Sequence, residues 1–175
     1  ELDETAAGHD PVEVAAQAVA AAEARVGALA EELWAVRRSQ SRPLADAVAA
    51  ELQGLGMGDG EFLVELRERD LGATGADEVV FLVRPNAGLP FAPVAETASG
   101  GELSRIALGL AAVAGGETLV FDEIDAGVGG VTAHAVASTL QRLAERAQVL
   151  TITHLPQIAS VAEKHFRVEK VPGDP

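Results

Sequence analysis

The sequence predicts an α/β fold, and three observations carry that reading. Two short apolar runs, Thr118-Leu-Val-Phe-Asp122 and Gln148-Val-Leu-Thr-Ile-Thr153, flank a stretch with helical periodicity, the pattern of a parallel strand pair joined by a helix. A long helical segment precedes them near the N-terminus. Hydrophobic residues make up 48% of the chain but aromatic residues only 3%, so a core is available and is built from Ala, Val and Leu. The 175 residues suit one domain by length.

In chain order, residues 1–9 read as a lead-in, and Asp10-Pro11-Val12-Glu13 as a helix start. Asp10 can cap, Pro11 suits the first turn, and Glu13 lies three residues after the cap. Val12, Val19, Val26 and Leu33 recur every seventh residue, and Ala15, Ala22, Leu29 and Val36 repeat with the same spacing, offset by three. This a/d seam predicts a strand of a coiled coil, although a lone amphipathic helix would bury a similar stripe. Pro43 lacks an N–H and restricts Arg42, so the helix is expected to weaken at residues 39–43 and a second one to run to about Leu52, ended by Gly54, Gly56, Gly58 and Gly60. Residues 61–68 and 78–84 read as antiparallel strands around a loop holding Gly72 and Gly75. Residues 85–98, with Pro85, Pro90 and Pro93, read as irregular. A helix over 102–114, a strand at 118–122, a helix at 131–146 and a strand at 148–153 then form a βαβ unit with its lead-in helix, right-handed by the general rule and with both strands covered on both faces. A short helix at 155–163 and a last strand at 165–170 complete the prediction.

Composition limits the function. The formal net charge of −14 argues against a broad phosphate-binding face on this chain. Arg37, Arg38 and Arg42 form a dense basic cluster, most simply a solvated helix end. With no cysteine, disulfides and thiolate metal sites are excluded. No apolar run is long enough to span a membrane. The acidic Glu1-Leu-Asp-Glu4 start is unlike a secretory signal, and without an initiator Met it reads as the interior of a longer protein. A cytoplasmic location is expected.

Three motifs can carry chemistry. Ser99-Gly100-Gly101-Glu102 reads as a capping box, Ser99 capping a helix and Glu102 reaching back to it. The same two glycines let backbone N–H groups approach an anion at a helix N-terminus, so a phosphate site is compatible with the cap. The run at 118–123 ends in Asp122 and Glu123, which on a strand would point to opposite sides. Asp122 is suited to hold Mg²⁺, partly through water, and Glu123 to act as a general base. An acidic strand end facing solvent is the plainer reading of that pair alone. His154, at the end of the neighbouring strand, falls on the same sheet edge. His9, His134 and His165 have no comparable company and are assigned no role.

The order of the three motifs is more specific than any one of them. Ser99 lies 23 residues before Asp122, and His154 lies 32 after it. This series resembles the signature motif, Walker B, D-loop and switch histidine of ABC-type ATPases. Within that group, Ala98-Ser-Gly-Gly-Glu-Leu-Ser-Arg105, Phe121-Asp-Glu-Ile-Asp-Ala-Gly-Val-Gly129 and Thr153-His-Leu-Pro-Gln-Ile158 resemble the RecN family of SMC-like DNA-repair ATPases. The heptad helix resembles a coiled-coil arm returning to such a head.

The resemblance implies an α/β C-terminal lobe of an ABC-type ATPase head, with residues 1–42 as arm and connection and 43–175 as the head portion. It implies that Ser99, Gly100, Gly101 and Glu102 meet the γ-phosphate of ATP held on an opposing head. Asp122 would support Mg²⁺, Glu123 would be the hydrolytic base, and His154 would sense the γ-phosphate. Asp125 and Gly127 would belong to the D-loop, with Asp125 communicating across the head–head interface. ATP and Mg²⁺ are the implied cofactors. The implied partners are an N-terminal half bearing the P-loop, a second head, and DNA through the complete protein, with association with the nucleoid when acting on DNA. Two departures stand out. Glu102 occupies a place where transporters commonly have Gln, and no Gly-x-x-x-x-Gly-Lys-Ser/Thr occurs in the chain. The chain alone is therefore expected to be inactive. The alternative readings are half of an ABC transporter nucleotide-binding domain, or a non-catalytic coiled-coil interaction module.

Overall fold

The computed structural model describes residues 11–58, 60–84, 88–97 and 99–169. The cap expected at Asp10 lies outside these residues. The described chain divides into two compact units. One takes in the residues up to Gln40 together with Leu66–Val79, and the other Ser41–Glu65 together with the residues from Val80 onward.

A single helix, α1 (Pro11–Gly54), runs through the region where a break was expected, with Pro43 inside it. Proline in a helix interior costs about 3 kcal/mol through its missing donor and ring clash. Ala45, Val48 and Leu52 follow Pro43 at helical spacing and are all buried, so the packing of the last turns offsets that loss. Earlier in α1 the heptad stripe is open: Val19, Val26, Leu29 and Val36 are exposed.

In the first unit, α1 meets the tip of a hairpin formed by β1 (Glu61–Gly72) and β2 (Gly75–Arg84). The strands reach further than expected, and the connection shrinks to Ala73-Thr74. A two-residue link permits only antiparallel pairing. Arg37 Nη1 lies 2.8 Å from Oδ2 of the buried Asp77 and donates to the Thr74 carbonyl at 2.9 Å. The basic cluster is thus divided among local partners, since Arg38 lies 4.9 Å from the Trp34 ring centroid and Arg42 is 3.6 Å from Asp46.

The second unit holds the hydrophobic core, in which Leu55, Ile106, Leu108, Ile124, Leu143 and Ile158 are almost fully excluded from solvent. At the base of the hairpin, β3 (Ala92–Pro93) pairs antiparallel with β2, with Leu82 opposite Pro93 and Val83 opposite Ala92. The segment expected to be irregular therefore contains an edge strand, where a missing N–H is tolerated, and a one-turn helix, α2 (Val94–Thr97). Then come α3 (Gly100–Ala114), β4 (Thr118–Phe121), α4 (Gly130–Ala144), β5 (Gln148–Thr151) and α5 (Pro156–Ala159). Strands β4 and β5 are parallel, in register from Thr118–Gln148 to Phe121–Thr151.

Two expectations fail here. The parallel pair is not covered on both faces, because Val120 is 67% exposed, as are Leu150 and Ile152 in large part. Residues 165–169 form no strand, and Phe166 and Val168 stand in solvent. Both have one cause: among the described residues the parallel sheet has two strands, so neither its open face nor the C-terminal segment finds a neighbour. No helix among the described residues is long and apolar enough to cross a membrane.

Candidate functional site

The parallel register brings the C-terminal ends of β4 and β5 to one edge, and the chain places its polar motifs in the loops that follow. Ser99, Gly100, Gly101, Glu123, Asp125, Ala126, Gly127 and His154 line one open cleft. Six of the predicted site residues are thereby brought together with Glu123. Asp122 and Glu102 flank the cleft without lining it.

The first wall is the N-terminus of α3. The capping box is fully formed: Glu102 Oε2 accepts from both the Ser99 backbone N–H and its hydroxyl at 2.8 Å, and the Glu102 N–H reaches Ser99 Oγ at 3.4 Å. The backbone N–H of Ser99 first, and its hydroxyl second, hold the Glu102 carboxyl below its ordinary value. Close approach to backbone requires glycine at position 101, while at position 100 the near atom is the tip of a side chain. A Cβ at Gly101 would lie 2.6 Å from the Ala126 carbonyl oxygen, and one at Gly100 would lie 2.8 Å from Glu123 Oε2.

The second wall is the loop after β4. Asp122 and Glu123 lie beyond the end of the strand, so the alternation argument for their directions does not apply. Instead Glu123 takes a left-handed backbone, φ 56°, alone among the described non-glycine residues. Such a conformation costs on the order of 1–3 kcal/mol and persists only where neighbours hold it. The neighbours are visible. Ser104 donates to the Asp122 carbonyl at 2.8 Å, Arg105 donates to the Ala126 carbonyl at 3.0 Å, and the Glu123 N–H is bonded to Asp122 Oδ1 at 2.8 Å. Burial lowers the Arg105 pKa, with Glu102 opposing it.

The third wall is the segment after β5. The buried Asp125 carboxylate gathers three groups on Oδ2: the Thr153 hydroxyl at 2.5 Å, the His154 backbone N–H at 2.9 Å and His154 Nδ1 at 3.0 Å. Burial alone would raise the Asp125 pKa, but the bonds from Thr153 and His154 outweigh it and hold the carboxyl below its ordinary value. Its contribution to stability is therefore present above an unfolded value near 3.8 and is lost as pH falls through the folded one. Thr153 Oγ1 also accepts from the Leu155 N–H at 3.1 Å, while the His154 side chain stays 77% exposed. Sequence reasoning overlooked Ser104, Arg105 and Thr153. Thr153 had a signal, a hydroxyl beside the singled-out histidine, whereas the other two lie on an ordinary helix face.

A capped helix start, a strained loop carrying two carboxylates and an imidazole on an acid make a site suited to an anion and an activated water. In fold, the chain is similar to the heads of SMC ATPases. The chain superposes with a TM-score of 0.57 on an Smc head bound to the C-terminal winged-helix domain of ScpA, at 18% identity over 79% of this chain and 42% of that one. It also matches a structure from work on ATP-driven dimerization and DNA-stimulated activation of SMC ATPases, with a TM-score of 0.52 and 18% identity over 81% of this chain and 85% of that one. At that identity the likeness concerns the fold. No protein-family model matches the chain.

Sequence relatives give a more specific likeness. The DNA repair protein RecN of Mycobacterium tuberculosis is 39% identical over 204 aligned positions, 98% of this chain and 35% of that protein. RecN of Haemophilus influenzae is 42% identical over 84% of this chain and 27% of its own length, and RecN of Streptomyces coelicolor 40% identical over 84% and 29%. Over the stretch it covers the chain is similar to these RecN proteins, and it spans about a third of the length of the curated relatives or less.

Proposed function

We propose that this chain is the signature-motif and Walker B portion of an SMC-like ATPase head that works in DNA repair, as the names of its RecN relatives suggest, and specifically in double-strand break repair and recombination, as the motif resemblance implies. In this reading residues 1–42 are the returning strand of a coiled-coil arm, and 43–175 are the head portion. The observation that carries it is the convergence of Ser99-Gly100-Gly101, Glu123, Asp125 and His154 on one cleft from three separate stretches of chain.

The residues present fit a nucleotide in part. The first-turn amides of α3 have no acceptor within the helix and suit a phosphate, and the absence of side chains at Gly100 and Gly101 keeps the approach open. Yet the cleft lining contains two carboxylates and no Lys or Arg. A polyphosphate needs cations, so the balancing charge must come from outside this chain. Among the described residues no cluster of three or more His, Asp or Glu can hold a metal ion. Asp122 is then one contributor to a Mg²⁺ site, and the P-loop of the N-terminal half supplies the rest together with its Lys. When bound, Mg²⁺ neutralises charge on the phosphate oxygens. Glu123 accepts a proton from the attacking water, and its held φ keeps the carboxylate over the first turn of α3. His154 offers a ring nitrogen to the γ-phosphate. The signature motif would serve ATP held on a second head. The exposed stripe of α1 favours an arm-bearing ATPase over half of a transporter domain.

The test is to mix this chain with the P-loop-bearing N-terminal half and follow Mg²⁺-dependent ATP hydrolysis. Activity is expected only in the mixture, rising more steeply than linearly with protein concentration. Glu123→Gln should lower it by about 10²–10⁴-fold. A folded complex without activity, or an unchanged rate in Glu123→Gln, would remove the assignment.

A further inference from the structure

Asp125 lies three residues past Asp122, yet its carboxylate points to the segment after β5 and is 5% exposed. A loop residue that only bridged two heads would keep its carboxylate in solvent. Here one oxygen, Oδ2, holds the backbone at His154, the hydroxyl of Thr153 and the imidazole itself. The backbone and hydroxyl bonds fix where His154 leaves the main chain, and the third contact fixes how its ring is turned.

We propose that Asp125 is a positioning residue for His154 within the same chain. It holds Nδ1 and leaves Nε2 as the nitrogen available to the cleft, and Thr153 braces the carboxylate. The physical reason is that a neutral imidazole carries one proton, and an ionised acceptor 3.0 Å from Nδ1 places that proton on Nδ1. The charged partner beside one ring nitrogen thereby decides what the other can do. The loop carrying Glu123 and the segment carrying His154 then move as one piece, because Asp125 joins them. This role rests on the ATPase reading of the cleft, but the contact itself can be tested without ATP.

The first measurement is the tautomer of His154 in the 175-residue chain, by long-range ¹H–¹⁵N correlation, with the signal assigned by its loss in His154→Gln. The wild type is expected to carry the proton on Nδ1. In Asp125→Ala and the nearly isosteric Asp125→Asn the proton should move toward Nε2, with circular dichroism confirming that Asp125→Asn is folded. A wild type protonated mainly on Nε2, or a tautomer unchanged in folded Asp125→Asn, overturns the proposal.

The second measurement is ATP hydrolysis by the chain combined with its P-loop-bearing half. Asp125→Asn should lower kcat by about 10–100-fold, the usual effect of losing such a supporting partner, with KM for ATP unchanged. Asp125→Glu should recover part of the loss. A raised KM with kcat unchanged would mean that Asp125 acts on nucleotide binding instead, and would overturn the positioning role. If the tautomer is as expected but the wild-type mixture hydrolyses no ATP, the ATPase reading falls while the Asp125–His154 coupling stands.

Discussion

The helix up to Gln40 and the loops around the cleft treat their side chains in opposite ways. Along the helix, Val19, Val26, Leu29 and Val36 stand open at heptad spacing, and the buried contact belongs to Arg37 and Asp77. Around the cleft, polar side chains are tied by local bonds, from the capping box of Ser99 and Glu102 to the two hydrogen bonds and the imidazole contact on Asp125. An exposed apolar stripe gains nothing in the chain that carries it and is retained for a surface that covers it. A bonded network holds atoms still, which is what a site for chemistry requires. One region is built to be completed, and the other is already set.

Four substitutions at three places would break or sharpen this contrast. The largest effect is expected where Arg37 of the helical region meets the buried carboxylate of Asp77. Arg37→Met leaves Asp77, with a side chain 1% exposed, buried without its partner. The tip of the hairpin should lose about 3–5 kcal/mol of local stability. Hydrogen exchange of residues 66–79 reads this directly, and unchanged protection would show that the pair does not hold the hairpin tip.

A smaller loss is expected in the cleft. Gly101→Ala places a methyl group 2.6 Å from the Ala126 carbonyl oxygen and 2.8 Å from the Ala126 Cβ, so the loop must shift. Overpacking of this kind costs about 1–3 kcal/mol. Urea unfolding should report a lower midpoint, and the displaced loop should lower ATP hydrolysis by the completed head as well. A variant as stable and as active as the wild type would show that the loop is softer than its bonds suggest.

The smallest effect should come from the stripe. Val26→Lys and Leu29→Lys remove apolar groups that are 47% and 55% exposed. In this chain they should change the unfolding free energy by less than about 0.5 kcal/mol. A larger loss, or a fall in apparent mass in sedimentation, would mean that the stripe is already covered by a second copy in solution.

Much of the fold follows from local chemistry. The capping box at Ser99-Gly100-Gly101-Glu102 is complete within four residues, so a sequence can display it, and the structure contains both of its bonds. The βαβ unit was legible for the same reason, since apolar runs and helical periodicity are properties of short windows. The break expected at Pro43 did not occur, because the local penalty is met by Ala45, Val48 and Leu52 packing into a core whose other residues lie far along the chain. The final strand failed through the same non-local dependence, as pairing requires a neighbour that residues 165–169 do not have here.

The candidate site divides along the same line. Which residue types stand in which order, from Ser99 through Asp122 and Glu123 to His154, was determined by the sequence by itself, and that order pointed to the chemistry. The tertiary structure decided how they meet. It set Glu123 in a left-handed backbone, laid its carboxylate over Gly100, and turned Asp125 inward to His154. The physical reason is separation along the chain. Asp125 and Thr153 are 28 residues apart, and Ser104 and Asp122 are 18 apart. Only the packing of α3, β4, α4 and β5 against one another brings such pairs within reach of a hydrogen bond.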